Sequence, residues 1–255
     1  MDSDIKAIED LSLNAWPSHQ MEVYDGWILR FSYFYTHRTN CVEQIGASIL
    51  PLEDKISYCE RIYRRWNTPC IFKISPVSDP SLDWLLEKRG YRIEHRINVM
   101  TMDIPCVPEV SEPAALPADC RIDISERVNE NWLEGLFSLK RTDNPIHLKI
   151  VPSMYAAIPK DEIAVSVLQS GRIAATGLGI LDRDFIGIYA IHVREDLRRR
   201  GLAQSILRKL LCEGRKKGAE KAYLQVVADN QAAKVLYRKV GFTAMYSCWF
   251  RIKEV

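Results

Sequence analysis

Hydrophobic residues in the second half of the chain follow a strand pattern first and a helix pattern afterwards. Apolar runs predict strands at EIAVSVLQ, RIAATGLGILD, FIGIYAIHV and AYLQVV. A helix is predicted from about Gly201 to Lys217, because its apolar residues share one side at the spacing of a half-buried helix. Those residues are Leu202, Ile206, Leu207, Leu210 and Leu211.

Two further helices are predicted at ENWLEGLFSL and NQAAKVLYRK, and residues 141–160 are predicted to form an ordered loop with three prolines. Antiparallel strands that lead into a strand–helix–strand crossover predict an α+β fold with a mixed sheet.

The end of the first half of the chain has the same pattern as the end of the second half. In each, a short strand (CIFKIS or AYLQVV) precedes a helical stretch, which meets a glycine and an aromatic residue. The two dipeptides, Gly90-Tyr91 and Gly241-Phe242, suit a left-handed helix cap. Their recurrence predicts an internal repeat, with two copies of one fold.

A proline-rich stretch separates the two copies. Four of the twelve prolines lie between residues 103 and 120. Proline fixes φ and lacks an amide donor, so an extended linker is predicted here. The expected organisation is an N-terminal domain at 1–102, a linker at 103–120 and a C-terminal domain at 121–255.

The composition is that of a soluble globular protein, since 47% of the 255 residues are hydrophobic and 27% are charged. No apolar run approaches the roughly 18 residues of a membrane-spanning helix. The acidic start MDSDIKAIED lacks the features of a signal peptide. We therefore expect a cytoplasmic protein with no membrane partner. The seven cysteines are scattered without a C-x-x-C pair, so we expect reduced thiols and no metal site.

Positive charge is concentrated between Arg194 and Lys221, where ten basic and four acidic residues give a net charge of +6. Because the whole chain carries +2, the remainder carries −4. A local basic zone on a nearly neutral protein favours one anionic ligand. Nucleic-acid binding is the alternative, but aromatic stacking residues are not interleaved with this charge, and no nucleic-acid partner is expected.

The segment IHVREDLRRRGLAQSILRKLL combines an apolar strand, a basic turn and a glycine that opens a helix. Free backbone N–H groups and the positive end of the helix dipole can hold a phosphate at such a point. Two other phosphate motifs are absent from the sequence. No G-x-x-x-x-G-K-[ST] occurs. The nearest match to G-x-G-x-x-G begins at Gly177 and Gly179 but has Asp182 in place of the third glycine. A solvated helix entry is the alternative interpretation of the arginines.

Two motifs in this half resemble the signatures of the GNAT superfamily of acetyl-CoA-dependent N-acetyltransferases. The run from Arg198 to Ala203 matches the pattern Arg/Gln-x-x-Gly-x-Gly/Ala, and the second signature begins at Asn230 and continues through Tyr237 to Gly241-Phe242. The resemblance covers roughly residues 120–253 and implies a GNAT fold. The first half resembles a degenerate copy without the cofactor signature, as in tandem GNAT proteins. Its segment DGWILRFSYFYTHRTNCV departs from theirs at Phe34, where a glycine is usual. The expected fold class is therefore α+β, with two GNAT-like domains, each a mixed, mostly antiparallel sheet flanked by helices.

The resemblance implies a role for each matched position. The strand end Ile191-His192-Val193 would pair with the pantetheine arm of acetyl-CoA and polarise the thioester carbonyl. The backbone amides around Arg199 to Gln204 would wrap the pyrophosphate, and Asn230 would contact the arm. Tyr237 would protonate the departing CoA thiolate as the catalytic acid. The implied cofactor-binding residues are Ile191, His192, Val193, Arg198, Arg199, Arg200, Gly201, Leu202, Ala203, Gln204, Asn230 and Tyr237.

The sequence does not identify a general base. Some relatives have a glutamate five residues before the asparagine, where this chain has Gln225, and another usual location falls near Gly187. His192 should point away from Ile191 and Val193 by strand alternation. The expected activity is direct acetyl transfer from acetyl-CoA to a primary amine of a small molecule or peptide, by a monomer or homodimer. The alternative function is a non-catalytic acyl-CoA-binding or scaffolding protein.

Overall fold

The computed structural model describes residues 2–105 and 116–254. These residues form two compact units. The first takes the chain up to residue 98, residues 227–229 and the chain from residue 246 onward; the second takes residues 99–226 and 230–245.

The first unit contains most of the N-terminal elements. They are α1 (Asp2–Ala15), β1 (Gln20–Tyr24), β2 (Trp27–Phe31), a 3-10 helix (His37–Thr39), β3 (Val42–Gln44), α2 (Leu52–Arg65), β4 (Cys70–Ile74), α3 (Leu82–Lys88) and the first part of β5 (Arg92–Asp103). The order β1–β2–β3 is antiparallel, and β3 is parallel to β4 across the helix α2. This unit therefore contains one strand–helix–strand crossover in a mostly antiparallel sheet.

The second unit contains the remaining elements apart from the end of the last strand. They are β6 (Cys120–Ser125), α4 (Glu130–Lys140), α5 (Pro145–Ala156), β7 (Asp161–Gln169), β8 (Arg172–Asp182), β9 (Phe185–Val193), a 3-10 helix (Glu195–Leu197), α6 (Leu202–Lys216), β10 (Lys221–Val227), α7 (Gln231–Val240) and β11 (Thr243–Lys253). Strands β6 to β9 form an antiparallel meander, and β10 is parallel to β9 across α6. Both units have the predicted fold class, a mixed and mostly antiparallel sheet flanked by helices.

The helix–glycine–aromatic repeat is present in both units. Gly90 follows α3 with φ +83°, and Gly241 follows α7 with φ +120°. The next residue is buried in each case, Tyr91 at 3% exposure and Phe242 at 1%. The glycine permits the backbone reversal, and the aromatic side chain anchors the following strand in its own core.

Residues 246–253 of β11 belong structurally with the first unit. Trp249 pairs with Ile74 and Lys253 with Cys70 in an antiparallel ladder with β4. The sequence places these residues in the C-terminal domain at 121–255, so the structural units divide the chain differently at this end. Of the predicted linker, residues 106–115 lie outside the described residues.

The prediction of a loop at 141–160 is wrong, because α5 occupies most of this stretch. Asn144 caps the helix by accepting hydrogen bonds from the amides of Ile146 and His147. Pro145 follows at the first helical position, where proline costs nothing. The three prolines suggested a loop, although the Asn-Pro pair is also a helix start.

The core of the second unit forms where α6 packs on the sheet. Its helix face buries Leu202, Ile206, Leu207 and Leu210 almost completely. A Cβ atom at Gly177 of β8 would lie 2.3 Å from the side chain of Ile206. The glycines of β8 therefore allow close helix packing, which accounts for them without a phosphate site. Among the described helices, none combines the length and the apolar character that crossing a membrane requires.

Candidate active site

Strands β9 and β10 pair over a short distance only. Their parallel ladder begins with Phe185 opposite Lys221 and ends with Ile188 opposite Leu224. Strand β9 continues for five residues beyond that pair, to Val193. The backbone of these residues is half-buried and lies past the end of the ladder with β10.

A β-bulge lies just beyond the last pair. Thr176 of β8 is opposite His192, and Leu178 is opposite Tyr189, so β9 has one residue more than β8 over this stretch. Ala190 has φ +50°, and its carbonyl accepts a hydrogen bond of 3.1 Å from Thr176 Oγ1. Because a bulge bends its strand and increases the twist, it turns the end of β9 out of line with its parallel neighbour. An extended ligand can pair with the backbone exposed there.

The bulge also sets which way the side chains at the end of β9 point. Ile191 and Val193 pack against the core that α6 covers. His192 lies between them in sequence and therefore faces the other side of the sheet. Burial, together with the charges of Lys140 and Arg198, lowers the pKa of His192 to about 4. His192 is therefore neutral at physiological pH.

The start of α6 has the geometry of an anion site. Arg199 and Gly201 have φ of +64° and +84°, and Leu202 is buried at 1% exposure, which fixes the turn to the core. The first bond of the helix runs from the Ser205 amide to the Gly201 carbonyl at 2.9 Å. The three amides before Ser205 therefore have no acceptor within the helix. No side chain caps this helix start, and its first turn contains no acidic residue.

These three amides belong to Leu202, Ala203 and Gln204, which are all among the predicted cofactor-binding residues. They point out of the helix at the positive end of its dipole. Arg198, Arg199 and Arg200 are exposed on the preceding turn. Nε of Arg198 donates a 3.4 Å hydrogen bond to the Val193 carbonyl, so the arginine turn lies next to the end of β9.

Part of the basic zone is neutralised within the chain. Arg194 forms an ion pair with Asp196 at 2.7 Å, and Arg198 lies 3.8 Å from Glu195. Further along α6, Lys209 and Lys216 share the carboxylate of Glu213. The turn from Arg194 to Arg200, beside the uncapped start of α6, retains a net charge of +2, and the other +4 of the zone lies between Leu202 and Lys221.

Asn230, the N-cap of α7, and Tyr237, within the helix, lie on one side of it. Asn230 and Tyr237 are seven residues apart, about two helical turns. Asn230 caps the helix, its side-chain oxygen accepting a 3.1 Å hydrogen bond from the Ala233 amide. The side-chain amide group of Asn230 is exposed with the rest of the residue. The sequence resemblance implied a ligand contact for this asparagine, and its role as a helix cap was not predicted.

Tyr237 is half-buried against the core, with its ring edge-to-face to Phe242 at 6.1 Å. Burial raises the pKa of Tyr237 to about 12. Among the residues that the structure describes, no group is hydrogen-bonded to the Tyr237 hydroxyl. The phenol is therefore protonated at neutral pH and has a proton to donate, although burial makes it a weaker acid than a free tyrosine.

A pair of tyrosines that the sequence analysis did not select lies at the point where β9 and β10 separate. The hydroxyl oxygens of Tyr189 and Tyr223 are 2.6 Å apart. Tyr223 pairs with Gly187 in the ladder, and a Cβ atom at Gly187 would come within 2.7 Å of both rings. The glycine thus makes room for the tyrosine pair. The register between the two strands was needed to find it, since the residues are 34 positions apart.

The first unit has a similar crossover, and the loop before its helix is held by an aspartate. The carboxylate of Asp25 accepts hydrogen bonds from the amides of Ile49 and Leu50, just before α2. It also pairs with the fully buried Lys55 at 3.2 Å. The Leu50 amide is the main cause of the lowered pKa of Asp25. A carboxylate of the chain itself thus binds the amides of the loop that leads into α2.

The mixed sheet, the bulged strand and the uncapped helix entry are together those of a GCN5-related N-acetyltransferase, the GNAT class. Residues 2–250 match the family model described as "Probable histone acetyltransferase Rv0428c C-terminal". Because that match spans nearly the whole chain, the protein belongs to this family of acetyltransferases. The resemblance expected from the two sequence signatures is confirmed.

Individual relatives agree with the family assignment. The "Uncharacterized N-acetyltransferase YobR" of Bacillus subtilis (strain 168) is 26% identical over 265 residues, covering 98% of this chain and 99% of the relative. The structure of a GCN5-related N-acetyltransferase from Kribbella flavida has a TM-score of 0.72 at 14% identity, covering 99% of this chain and 95% of that one. A tandem GNAT protein from the clavulanic acid biosynthesis pathway has a TM-score of 0.64 at 10% identity, covering 79% and 69%. The two solved structures share the fold.

Proposed function

We propose that the protein transfers the acetyl group of acetyl-CoA to a primary amine, with both substrates bound at the second unit. The observation that carries the proposal is the uncapped start of α6 beside the separated end of β9. The amides of Leu202, Ala203 and Gln204 and the exposed arginines would bind the pyrophosphate. The backbone of Ile191, His192 and Val193 would pair with the pantetheine arm as an additional strand does.

The reaction needs an electrophile, a nucleophile and a proton donor. A backbone N–H at the end of β9 would polarise the thioester carbonyl, and the amine nitrogen would attack the carbonyl carbon. When the carbon–sulfur bond breaks, the CoA thiolate would take a proton from the Tyr237 hydroxyl. The new amide nitrogen loses its extra proton to solvent, and the tyrosinate is reprotonated.

The proposal needs no carboxylate base if the amine reaches the carbonyl in its neutral form. Gln225 cannot accept a proton at neutral pH. His192 is half-buried and its low pKa makes it a weak base. The hydroxyls of Tyr189 and Tyr223 would orient the incoming amine by accepting hydrogen bonds from it.

The acceptor would extend along the helices at the start of the second unit. Helices α4 and α5 enclose an open groove of about 420 Å³. Leu133, Phe137 and Tyr155 line it with apolar surface, and Glu130 and Glu134 add carboxylates. This combination fits an acceptor with both an apolar part and a cationic amine, either a small molecule or a peptide.

The test is a measurement of CoA release with a thiol reagent, in the presence of a panel of small amines and short peptides. The proposal predicts release that depends on the amine, together with a mass increase of one acetyl group on that amine. Binding of acetyl-CoA without acetylation of any member of the panel would refute the proposed transfer for these acceptor classes. The site would then belong to a non-catalytic acyl-CoA-binding protein, the alternative function.

A further inference from the structure

Three potential metal ligands converge in the first unit, away from the residues of the proposed acetyl-CoA site in sequence. His37 lies on the 3-10 helix His37–Thr39, and Glu94 and His95 lie on β5. One ligand atom from each of the three lies within 4.8 Å of the other two. The Nε2 atoms of His37 and His95 approach the same carboxylate oxygen, Oε1 of Glu94, at 3.6 and 3.3 Å.

The backbone at His95 makes this convergence possible. Neighbouring residues on a regular strand point to opposite faces of the sheet, so Glu94 and His95 would normally diverge. His95 instead has φ +53°, in the left-handed region. Histidine is one of the residue types that tolerate this conformation. This irregular backbone turns the consecutive side chains of Glu94 and His95 towards His37.

One ring nitrogen of His37 makes no hydrogen bond. This Nε2 atom is buried, and the Glu94 carboxylate oxygen at 3.6 Å lies beyond hydrogen-bond distance from it, with no other partner among the described residues. The ring is held in place by edge-to-face contacts with His95 at 5.0 Å and Phe250 at 5.4 Å. A buried nitrogen without a partner is unfavourable, and a bound cation would complete its coordination.

Two of the three distances between ligand atoms fit a tetrahedral zinc ion, and the third lies below 4.8 Å. Zinc binds histidine nitrogen and carboxylate oxygen at about 2.0–2.1 Å, which places neighbouring ligand atoms about 3.3–3.4 Å apart. The two separations from Glu94 Oε1 are close to this value. A competing cation, Nη2 of Arg92, lies 3.7 Å from the other oxygen of this carboxylate, Oε2, and leaves Oε1 to the histidines.

We propose that His37, Glu94 and His95 bind one Zn²⁺ ion, which connects the 3-10 helix to β5. Two imidazoles and a carboxylate are ligands that zinc accepts readily. The three protein ligands leave a fourth tetrahedral position for water or another ligand. The scattered cysteines predicted no metal site, and these ligands form no local motif either, since Glu94 and His95 are 57 and 58 residues from His37 along the chain.

The test is titration of the full-length, EDTA-treated protein with ZnCl₂ in a calorimeter, and with Co²⁺ while the absorption spectrum is recorded. We compare the wild type with His95→Asn and Glu94→Gln. Asparagine tolerates the left-handed backbone, and glutamine keeps the shape of glutamate. The matched control is His147→Asn, which removes a histidine of the second unit outside the cluster.

The proposal predicts one zinc ion per wild-type and control chain, with affinity lowered at least about tenfold in both cluster variants. It also predicts Co²⁺ bands of nitrogen and oxygen ligation. Absence of wild-type binding, equal affinity in all four proteins, or a strong thiolate-to-cobalt band from the cysteines would overturn it. Circular dichroism in EDTA verifies folding, and the wild-type titration and spectrum decide the question even if a variant fails to fold.

Discussion

Replacing Gly201 by glutamate puts a carboxylate at the start of α6, where we propose that the pyrophosphate binds. Two like unit charges about 4 Å apart repel by about 4 kcal/mol at an effective dielectric constant near 20. That repulsion corresponds to a dissociation constant for CoA raised about a thousandfold. Because Gly201 has φ +84°, the substitution also strains the folded state, by roughly 1–2 kcal/mol.

The strain and the electrostatic effect can be separated with a second glycine. Gly218 follows the other end of α6 with φ +97°, is exposed, and has no atom within 4 Å of where a Cβ would lie. The variant Gly218→Glu therefore introduces the same charge and a similar backbone strain, far from the helix start. Both variants should lose comparable stability in thermal unfolding.

Calorimetric titration with CoA gives the decisive comparison. We expect Gly201→Glu to lose measurable binding while Gly218→Glu binds like the wild type. The contradicting result is a folded Gly201→Glu protein whose Kd for CoA is within about threefold of that of the Gly218→Glu control. The binding free energies would then differ by about 0.7 kcal/mol or less, too little for a repulsion of about 4 kcal/mol. The pyrophosphate would then lie elsewhere.

Four further predictions follow from the structure. Tyr237→Phe should lower kcat about a hundredfold or more while the Kd for acetyl-CoA changes less than about twofold, and full turnover would remove the proposed acid. Asn230→Ala and Asn129→Ala each remove a helix cap, and each should lower the free energy of unfolding in denaturant by about 1 kcal/mol. Only Asn230→Ala should also weaken acetyl-CoA binding. Equal affinities in the two variants would show that Asn230 is only a cap. Asp25→Asn should lower the unfolding midpoint at neutral pH without changing CoA affinity. Because the pKa of Asp25 is lowered on folding, the stability that its carboxylate contributes is lost as the pH falls through the folded value. The unfolding midpoints of the variant and the wild type should therefore converge in acid, and a difference independent of pH would contradict this. His192 has a folded pKa of about 4 against an ordinary value of 6.5, so the unfolded chain binds more protons between these pH values. The free energy of unfolding therefore falls as the pH is lowered from 6.5 to about 4. His192→Gln should make this dependence on pH less steep, and an unchanged dependence would place the acid sensitivity elsewhere.

Local patterns in the sequence were sufficient to predict the proposed cofactor-binding elements. The spacing of Leu202, Ile206 and Leu210 predicts α6, and the structure begins that helix immediately after Gly201. The glycine–aromatic dipeptides likewise predict both helix ends correctly. These features depend on residues within a few turns of one another, which is the range over which hydrophobic periodicity and capping act.

Features that depend on pairing between distant residues could not be predicted. The Tyr189–Tyr223 contact depends on the register of β9 with β10. The placement of residues 246–253 with the first unit depends on pairing with β4, and on an ion pair of 2.8 Å between Arg251 and Asp83 that joins positions 168 residues apart. The pattern of a single sequence contains no information about which residues of β9 and β10, or of β4 and β11, lie opposite one another.

The loop before α2 in the first unit illustrates the same limit. The missing signature implies that this copy has no cofactor site, but it does not show what holds the loop. The Asp25 carboxylate lies on the turn between β1 and β2, more than twenty residues before the loop amides that it binds. Only the folded structure brings them together.

Thermal unfolding with saturating acetyl-CoA, CoA, NAD or ATP tests the central claim most directly. A ligand at about 100 times its Kd stabilises the folded state by roughly 2.7 kcal/mol, which is readily measured as a higher midpoint. We predict that acetyl-CoA and CoA raise the midpoint and that NAD and ATP do not. No shift with acetyl-CoA, or equal shifts with all four ligands, would contradict the assignment of the α6 entry and the end of β9 as an acetyl-CoA site.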